Sequence, residues 1–224
     1  MTIKQALNYA ISVPKTIYFN FMCFEFRKAV HLPVFVAWNV KCKKLKKGSI
    51  EIPENAQTFS IQIGFNGVEA IESGKSIFNL DSGTIIFRGN CAIASGCRIG
   101  VSNNGIIDFG DGFSANKNFF ISCNKHIIFG KDAMFGWNVS FFDANGHPVY
   151  VNGEIKENTR KIEVGDHVWI GSECHVLKGT VIPCNSIIAY GSVVTTKLYE
   201  PNCVYGGNPV KKIQENINWK RHWE

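Results

Sequence analysis

Residues 164–194 read VGDHVWIGSECHVLKGTVIPCNSIIAYGSVV, and this stretch decides the fold. An aliphatic β-branched residue returns at every sixth place within it: Val164, Ile170, Val176, Ile182, Ile188 and Val194. Four places after each of the first five anchors comes a mostly small residue: Val168, Cys174, Thr180, Ser186 and Ser192. A helix repeats its apolar residues every three or four places and an ordinary strand every two, so neither explains a period of six.

Six residues are enough for one short strand and one turn, and three such units make a triangular coil. Successive coils then stack as parallel strands about 4.8 Å apart, with the anchors pointing into a narrow prism. The small residue at the fifth place keeps each corner tight. The pattern therefore predicts an all-β solenoid built from hexapeptide repeats.

The step of six continues upstream, less regularly, at Phe87, Ile93, Ile99, Phe109, Ala115, Ile121, Ile127, Phe129 and Phe135. The last two resume the step two residues out of phase with those before them. We predict a β-helix over residues 58–208, from which residues 142–161 or so leave as a long loop. A loop held by a rigid scaffold is where functional residues concentrate.

The two ends differ from the repeat. Residues 1–57 include the amphipathic stretch IYFNF at 17–21 and the basic run KCKKLKK at 41–47. Because a stacked solenoid must cover its open end, we interpret this segment as an N-terminal cap. Attachment to a membrane surface through the lysines is the alternative interpretation. Residues 209–224 are predicted to form a short helix that begins after Pro209.

The composition narrows the class of protein. A formal net charge of +6 on 224 residues is too weak and dispersed to indicate nucleic-acid binding. The eight cysteines include no CxxC pair, so we expect free, mostly buried thiols and a cytoplasmic location. Charged residues interrupt the early apolar runs, and none reaches the roughly 20 residues of a membrane span, so neither a signal peptide nor a span is expected.

Four motifs resemble those of the hexapeptide-repeat acyltransferases: the repeat itself, DHVWIG at 166–171, GHPV at 146–149 and GNPVKKI at 207–213. Over about residues 80–219 the chain is similar to maltose and galactoside O-acetyltransferases and to capsule and exopolysaccharide O-acetyltransferases. The NINW segment at 216–219 resembles the polysaccharide-modifying branch. The resemblance implies a left-handed parallel β-helix, a homotrimer with active sites between subunits, acetyl-CoA as co-substrate, and a carbohydrate hydroxyl as acceptor.

The resemblance also assigns catalytic residues. His147 matches the family's catalytic histidine, and an imidazole with a pKa near 6.5 suits a general base that activates a hydroxyl. Asp143 could orient that imidazole or contact the acceptor, although relatives often carry an acid where this chain has Asn145; a backbone carbonyl is the other candidate orienting group. Asn116 matches an asparagine near the reacting groups and could donate to a developing oxyanion.

Two tryptophans are candidate acceptor-binding residues. Trp169 precedes the anchor Ile170, so its ring should point outward, where it would contact a sugar or a neighbouring subunit. Trp137 lies in the equivalent place one coil earlier. By resemblance, Gly171, Ser172, Tyr190 and Gly191 would bind the pantetheine arm of acetyl-CoA along exposed strand backbone. Four residues would meet its adenosine end: Thr195, Thr196, Lys197 and Lys211.

The remaining nucleophilic and metal-ligating side chains bear on the reaction mechanism. No serine or cysteine is placed as an acyl-enzyme nucleophile, so we expect direct transfer in a ternary complex. His167 and His175 are expected to be solvated, and no trio of histidines suggests a metal site or a γ-class carbonic anhydrase.

Two alternatives to sugar O-acetylation remain. One is N-acetylation of a nucleotide-linked amino sugar, and the other is a non-catalytic β-helix that serves as a scaffold.

Overall fold

The structure is a computed structural model that describes residues 2–222. It contains two helices, α1 (Ile3–Cys23) and α2 (Phe26–Ala29), followed by a prism of three parallel sheets. The first face consists of β1 (Val34–Val36), β4 (Ile61–Ile63), β7 (Cys91–Ile93), β10 (Phe113–Ala115), β13 (Met134–Phe135), β18 (Trp169–Ile170), β21 (Ile187–Ile188) and β23 (Val204–Gly206).

The chain passes from the first face to the second and then to the third. The second face consists of β2 (Lys41–Lys43), β5 (Ile77–Leu80), β8 (Arg98–Val101), β11 (Phe120–Cys123), β14 (Ser140–Phe142), β19 (His175–Leu177) and β22 (Val193–Val194). The third consists of β3 (Ile50–Glu51), β6 (Thr84–Phe87), β9 (Ile106–Phe109), β12 (His126–Phe129), β17 (Ile162–Val164) and β20 (Val181–Ile182). Each of the first six coils therefore contributes one strand to each face, as the period of six predicted, and the chain then adds β21 and β23 to the first face and β22 to the second.

The anchors fill the interior of the prism. All six anchors between residues 164 and 194 are at most 3% exposed, and the five small residues at the fifth place are fully buried. Phenylalanine rings stack along the axis, with Phe109 lying 5.2 Å from Phe87 and 5.3 Å from Phe129 between ring centroids. Such a continuous, close-packed column of apolar side chains is what makes a stack of two- to four-residue strands stable.

The N-terminal boundary of the prism differs from the prediction. The first coil begins at Val34, not at residue 58, because β1, β2 and β3 already pair with β4, β5 and β6. This coil is hard to recognise in sequence because only Val36 and Cys42, which are in register with the anchors of the first two faces, keep the step of six. The third strand does not begin until Ile50, and the second strand reads Lys-Cys-Lys. The cap is consequently shorter than expected and consists of α1 and α2.

The C-terminal segment also differs from the prediction. Residues 210–222 do not form the predicted helix, and residues 223–224 lie outside the described part of the chain. Lys211–Gln214 form β24, which pairs antiparallel with β23. The physical reason is that β23 is the last parallel strand of the first face, and its free edge is satisfied by a returning strand. No helix among the described residues is long and apolar enough to cross a bilayer.

One long segment leaves the prism between β14 and β17. Within it, β15 (Tyr150–Val151) and β16 (Glu154–Ile155) form a two-stranded antiparallel ribbon whose residues are exposed. The rigid coils before and after fix both ends of this excursion loop. The loop therefore projects from a fixed place on the molecule.

Candidate functional site

A groove of about 650 Å³ runs along the first face of the prism. Its floor is a ladder of outward-facing residues in register on six neighbouring strands: Gln62, Ala92, Ser114, Met134, Trp169 and Ile187. Neighbouring strands lie about 4.8 Å apart, so five intervals give the floor a length of roughly 24 Å. The groove is long, narrow and mostly apolar, which suits an extended ligand.

Small residues at one corner of the prism open this groove. Directly after the strands come Ala94, Asn116, Gly136, Gly171 and Ala189, all of which line it. A Cβ atom on Gly136 would lie 2.3 Å from Ser172 Oγ, and one on Gly171 would lie 2.9 Å from the Tyr190 backbone nitrogen. Glycine at these two places thus allows successive coils to approach closely beside the groove.

Six of the residues predicted from the sequence line this one groove: Asn116, Trp137, Trp169, Gly171, Ser172 and Tyr190. The Trp169 side chain points outward as expected, and Trp169 and Tyr190 are 38% and 66% exposed. The Ser172 hydroxyl accepts a hydrogen bond from the Trp137 backbone N–H (3.1 Å), which ties two coils together at the groove wall. The structure thus brings together candidates that the sequence assigned to three separate roles.

The side-chain oxygen of Asn116 accepts hydrogen bonds within the protein, and its side-chain amide nitrogen can donate to a ligand. Asn116 Oδ1 accepts from the backbone N–H groups of Val68 (3.0 Å) and Lys117 (2.8 Å). No hydrogen-bond partner of Asn116 Nδ2 occurs within residues 2–222. The side chain is therefore held in place by its acceptor and can present a donor to a ligand in the groove.

His147 does not line the groove of its own chain. It lies exposed in the excursion loop, five residues after β14, and makes no hydrogen bond or ion pair within the described part of the chain. The space around the preceding residue is open, since a Cβ atom on Gly146 would meet no heavy atom within 4 Å. The imidazole is therefore accessible to a ligand or to another subunit.

Asp143 does not have the role predicted for it. The residue is fully buried, and its carboxylate accepts hydrogen bonds from the backbone N–H groups of Asn124 (2.8 Å), Lys125 (2.7 Å) and His126 (2.9 Å). It also accepts from the thiol of Cys123 at 3.4 Å. With both oxygens engaged inside the protein, Asp143 anchors the base of the excursion loop to the preceding coil and leaves His147 without an orienting carboxylate.

The remaining predicted ligand residues do not line the groove. Gly191 directly follows Tyr190, and its N–H donates to the Ser172 carbonyl oxygen at 3.0 Å. Thr195, Thr196 and Lys197 are exposed at the corner after β22, and Lys211 is exposed on β24. None of these five residues lines the groove itself, although all belong to the last coils of the prism.

A cluster beside the groove was missed by the sequence analysis. His167, which we expected to be solvated, stacks on Trp219 with ring centroids 4.0 Å apart, and its Nδ1 lies 2.5 Å from an Asp132 oxygen. Arg221 contacts the same carboxylate and donates to Ser114 Oγ (2.7 Å), which belongs to the groove floor. These contacts join residues 35 or more places apart, so no local sequence signal reveals them.

The cysteines have packing roles, as predicted. Six of the eight are buried, Cys42 is half-buried, and only Cys184 is exposed; all eight are free. Burial raises the pKa of the Cys97 thiol to about 12, so this side chain stays protonated and unreactive. None of the residues that line the groove is a cysteine, and no group of three metal-ligating side chains occurs among residues 2–222.

Comparison with known proteins relates this architecture to enzymes. The chain is 33% identical over 121 residues to the galactoside O-acetyltransferase of Escherichia coli K12, an alignment that covers 52% of this chain and 58% of that protein. It therefore spans little more than half the length of that relative. The chain resembles the hexapeptide-repeat acyltransferases. No family model matches it.

Two further similarities cover more of the chain. An uncharacterised 24.8 kDa protein from a cps region of Klebsiella pneumoniae is 27% identical over 200 residues, which is 89% of this chain and 87% of that protein. The crystal structure of NeuO, a polysialic-acid-specific acetyltransferase, superposes with a TM-score of 0.53 at 22% identity, covering 85% of this chain and 79% of that chain. The latter likeness concerns the fold alone and, with the three parallel sheets, confirms the predicted left-handed parallel β-helix.

Proposed function

We propose that this protein is an acetyltransferase that moves the acetyl group of acetyl-CoA directly onto a hydroxyl of a sugar or of a bacterial surface polysaccharide. The observation that carries the proposal is the groove on the first face, where Asn116, both tryptophans and Gly171-Ser172 lie together. The relationship to the galactoside O-acetyltransferase supports the reaction class. The long apolar floor suits a pantetheine arm that binds alongside strand backbone.

Residues inside and outside the groove would bind different parts of the ligands. Outside the groove, on the last coils of the prism, the exposed Thr195, Thr196, Lys197 and Lys211 would hold the adenosine end, where the lysines neutralise phosphate. Within the groove, Trp169 and Trp137 would pack on the acceptor sugar, as aromatic rings pack on flat apolar faces. The amide of Asn116 would donate to the oxygen on which negative charge develops.

His147 is proposed as the general base that takes the proton of the attacking hydroxyl. Because the imidazole lies outside the groove of its own chain, the proposal places it against the groove of a neighbouring subunit in a homotrimer. Its position on an exposed loop with both ends fixed supports such a reach between subunits. Transfer then proceeds in a ternary complex: the hydroxyl oxygen attacks the thioester carbonyl, His147 receives the proton, and the CoA thiolate leaves.

Among residues 2–222, no nucleophile for an acyl-enzyme route lines the groove beside a base. No cysteine lines it, the Ser172 hydroxyl accepts a hydrogen bond from the Trp137 N–H, and the Ser114 hydroxyl accepts one from Arg221. Eight free cysteines also support a reducing compartment, and we assign the protein to the cytoplasm.

The acceptor can be identified by measuring CoA release in the presence of a panel of sugars, amino sugars and capsular glycans.

The experiment that tests the proposal is His147→Ala. Loss of a general base lowers kcat by roughly two orders of magnitude or more, while acetyl-CoA binding is retained. His31→Ala, which removes another exposed histidine far from the groove, is the matched control and should keep wild-type turnover. Near-wild-type kcat in His147→Ala would remove this residue from the mechanism, and parallel double-reciprocal lines would argue for an acyl-enzyme instead.

A further inference from the structure

Helix α1 is docked with its polar side toward the protein. Ser12, Thr16 and Asn20, four residues apart, are fully buried on one side of the helix. The Thr16 hydroxyl accepts from the Val36 N–H at 3.0 Å, and the Asn20 side chain both donates to the Val34 carbonyl (2.6 Å) and accepts from the Val34 N–H (3.2 Å). These side chains satisfy the free edge of β1, which would otherwise expose unpaired backbone groups.

The opposite side of α1 is apolar and faces away from the prism. At 100° per residue, an arc of about 160°, from Val13 round to Ile11, carries only apolar side chains and Tyr18. Its large members are Ile3, Leu7, Ile11, Val13, Ile17, Tyr18 and Phe21, which are 40–90% exposed. Amphipathic helices of globular proteins bury their apolar residues, whereas α1 fully buries only Phe19 and Cys23 among its large apolar side chains and leaves this arc outside. A contiguous apolar surface of this kind marks an interaction site.

A strong positive charge surrounds this surface. Residues 1–48 contain nine Lys or Arg residues and one Glu, a net charge of +8, whereas residues 49–224 contain fifteen and seventeen, a net charge of −2. Lys47 contacts Glu25 (3.1 Å), just beyond the C-terminal end of α1, so the basic corner lies beside the helix. Lys41, Lys43 and Lys46 are exposed and form no ion pair within the described residues.

We propose that this end of the molecule, the outer face of α1 with the lysines of residues 41–47, binds the surface of an anionic lipid bilayer. An apolar helix face embedded at the interface and lysines directed at lipid phosphates are the two components of peripheral membrane binding. A second copy of the chain fits less well, because two such ends would bring the exposed, unpaired Lys41, Lys43 and Lys46 of one copy against those of the other. An acidic glycan would satisfy the lysines but not the apolar face.

Binding of the full-length chain to vesicles tests the inference. Vesicles of phosphatidylcholine and phosphatidylglycerol in equal parts should bind the protein, and pure phosphatidylcholine should bind it much more weakly. Leu7→Gln with Ile11→Gln, and separately Lys43→Glu with Lys46→Glu, should each weaken binding to the anionic vesicles by about tenfold or more. Added salt should release the wild type in part, since the apolar contribution is not screened.

Matched controls separate the surface from general effects. Ile155→Gln with Ile213→Gln removes two exposed isoleucines elsewhere, each 63% exposed in the wild type, and Lys131→Glu with Lys156→Glu makes the same charge change away from the cap. Both control pairs should bind vesicles as the wild type does. Circular dichroism and thermal denaturation show whether each variant is folded, and Trp38 next to Leu7 and Ile11 should be quenched by brominated lipid.

Three results would overturn the inference. The first is a wild type that does not sediment with anionic vesicles, and the second is equal binding by all the variants. The third is self-association of the wild type in sedimentation equilibrium that Leu7→Gln with Ile11→Gln abolishes, which would assign the apolar face to a second copy. None of these measurements depends on acetyl transfer, so a negative result would contradict membrane binding without contradicting the proposed function.

Discussion

Asp143 shows at the scale of one residue how a candidate catalytic group can be structural. Asp143→Ala would leave three partly buried backbone N–H groups without their acceptor, at a cost of up to about 1–3 kcal/mol each that water partly relieves. We expect the free energy of unfolding to fall by about 2–4 kcal/mol in urea denaturation.

Asp111→Ala is the control for this change. Asp111 is exposed and accepts from one backbone N–H, that of Asn90 at 2.7 Å, so its loss should cost less than about 1 kcal/mol. Equal losses in the two variants would contradict the structural role. So would an Asp143→Ala variant with wild-type stability and a lowered kcat, the behaviour of a residue that orients His147.

Gly136 is a second residue at which a substitution should change the stability of the protein. An alanine Cβ would lie 2.3 Å from Ser172 Oγ and 2.6 Å from the Ser172 backbone nitrogen, so two coils must move apart at the groove wall. Gly136→Ala should lower the free energy of unfolding by about 1–3 kcal/mol in urea denaturation. Gly146→Ala, where a Cβ meets no atom within 4 Å, should not, and an unchanged Gly136→Ala would show that the coils tolerate the methyl group.

At the scale of the element, the C-terminal tail acts as a strap along the prism. Trp219 lies flat on His167, and its indole N–H donates to the His167 carbonyl oxygen at 3.0 Å. Arg221 donates to the Gly112 carbonyl (2.7 Å) and contacts Asp132, so the tail crosses three coils. Because Trp219 also lies 6.1 Å from Trp169, the strap borders the groove floor.

Acid should release this strap. Partial burial by itself raises the pKa of Asp132, but hydrogen bonds from His167 and Arg221 outweigh burial and lower the pKa below its ordinary value. A lowered pKa in the folded state means that the stabilisation is present above about pH 3.9 and is lost as the pH falls through the folded-state pKa. We expect the Trp219 fluorescence, isolated by subtracting a Trp219→Phe variant, to change below about pH 4.

Asp132→Asn provides the comparison for the acid transition. This variant keeps the size of the side chain but not its charge, so the strap should already be loosened at neutral pH and show no further change in acid. His222→Ala, the exposed neighbour of Arg221, should behave as the wild type. An identical acid transition in wild type and Asp132→Asn would mean that another group holds the strap.

At the scale of the whole molecule, the separation of His147 from its own groove predicts complementation between subunits. In the proposed homotrimer, two inactive variants should regain activity when unfolded together and refolded as mixed trimers: His147→Ala, and Ala92→Trp, whose exposed position on the groove floor lets the indole ring fill the groove. If each site takes its base from one subunit and its groove from the next, about a quarter of the sites in an equal mixture contain two intact halves. No regained activity would place base and groove in the same chain.

The sequence by itself determined the prism, because each coil depends on local information. A strand and turn every six residues can be recognised from the anchors alone, and the anchors from Val164 to Val194 are all buried. The same regularity placed Trp169 outward and Gly171 at a tight corner. Recognition failed where the spacing is irregular, which is why the first coil, from Val34, was assigned to the cap.

Only the tertiary structure decided the contacts between distant parts of the chain. Asp143 lies four residues before His147 in sequence, yet its partners are at 123–126, one coil earlier. Trp219 and His167, 52 residues apart, meet because the tail turns back as β24, and α1 turns its polar side inward because β1 needs partners for its edge. Such choices depend on which donors and acceptors remain unpaired once the coils have stacked, and a linear pattern of apolar residues does not contain that information.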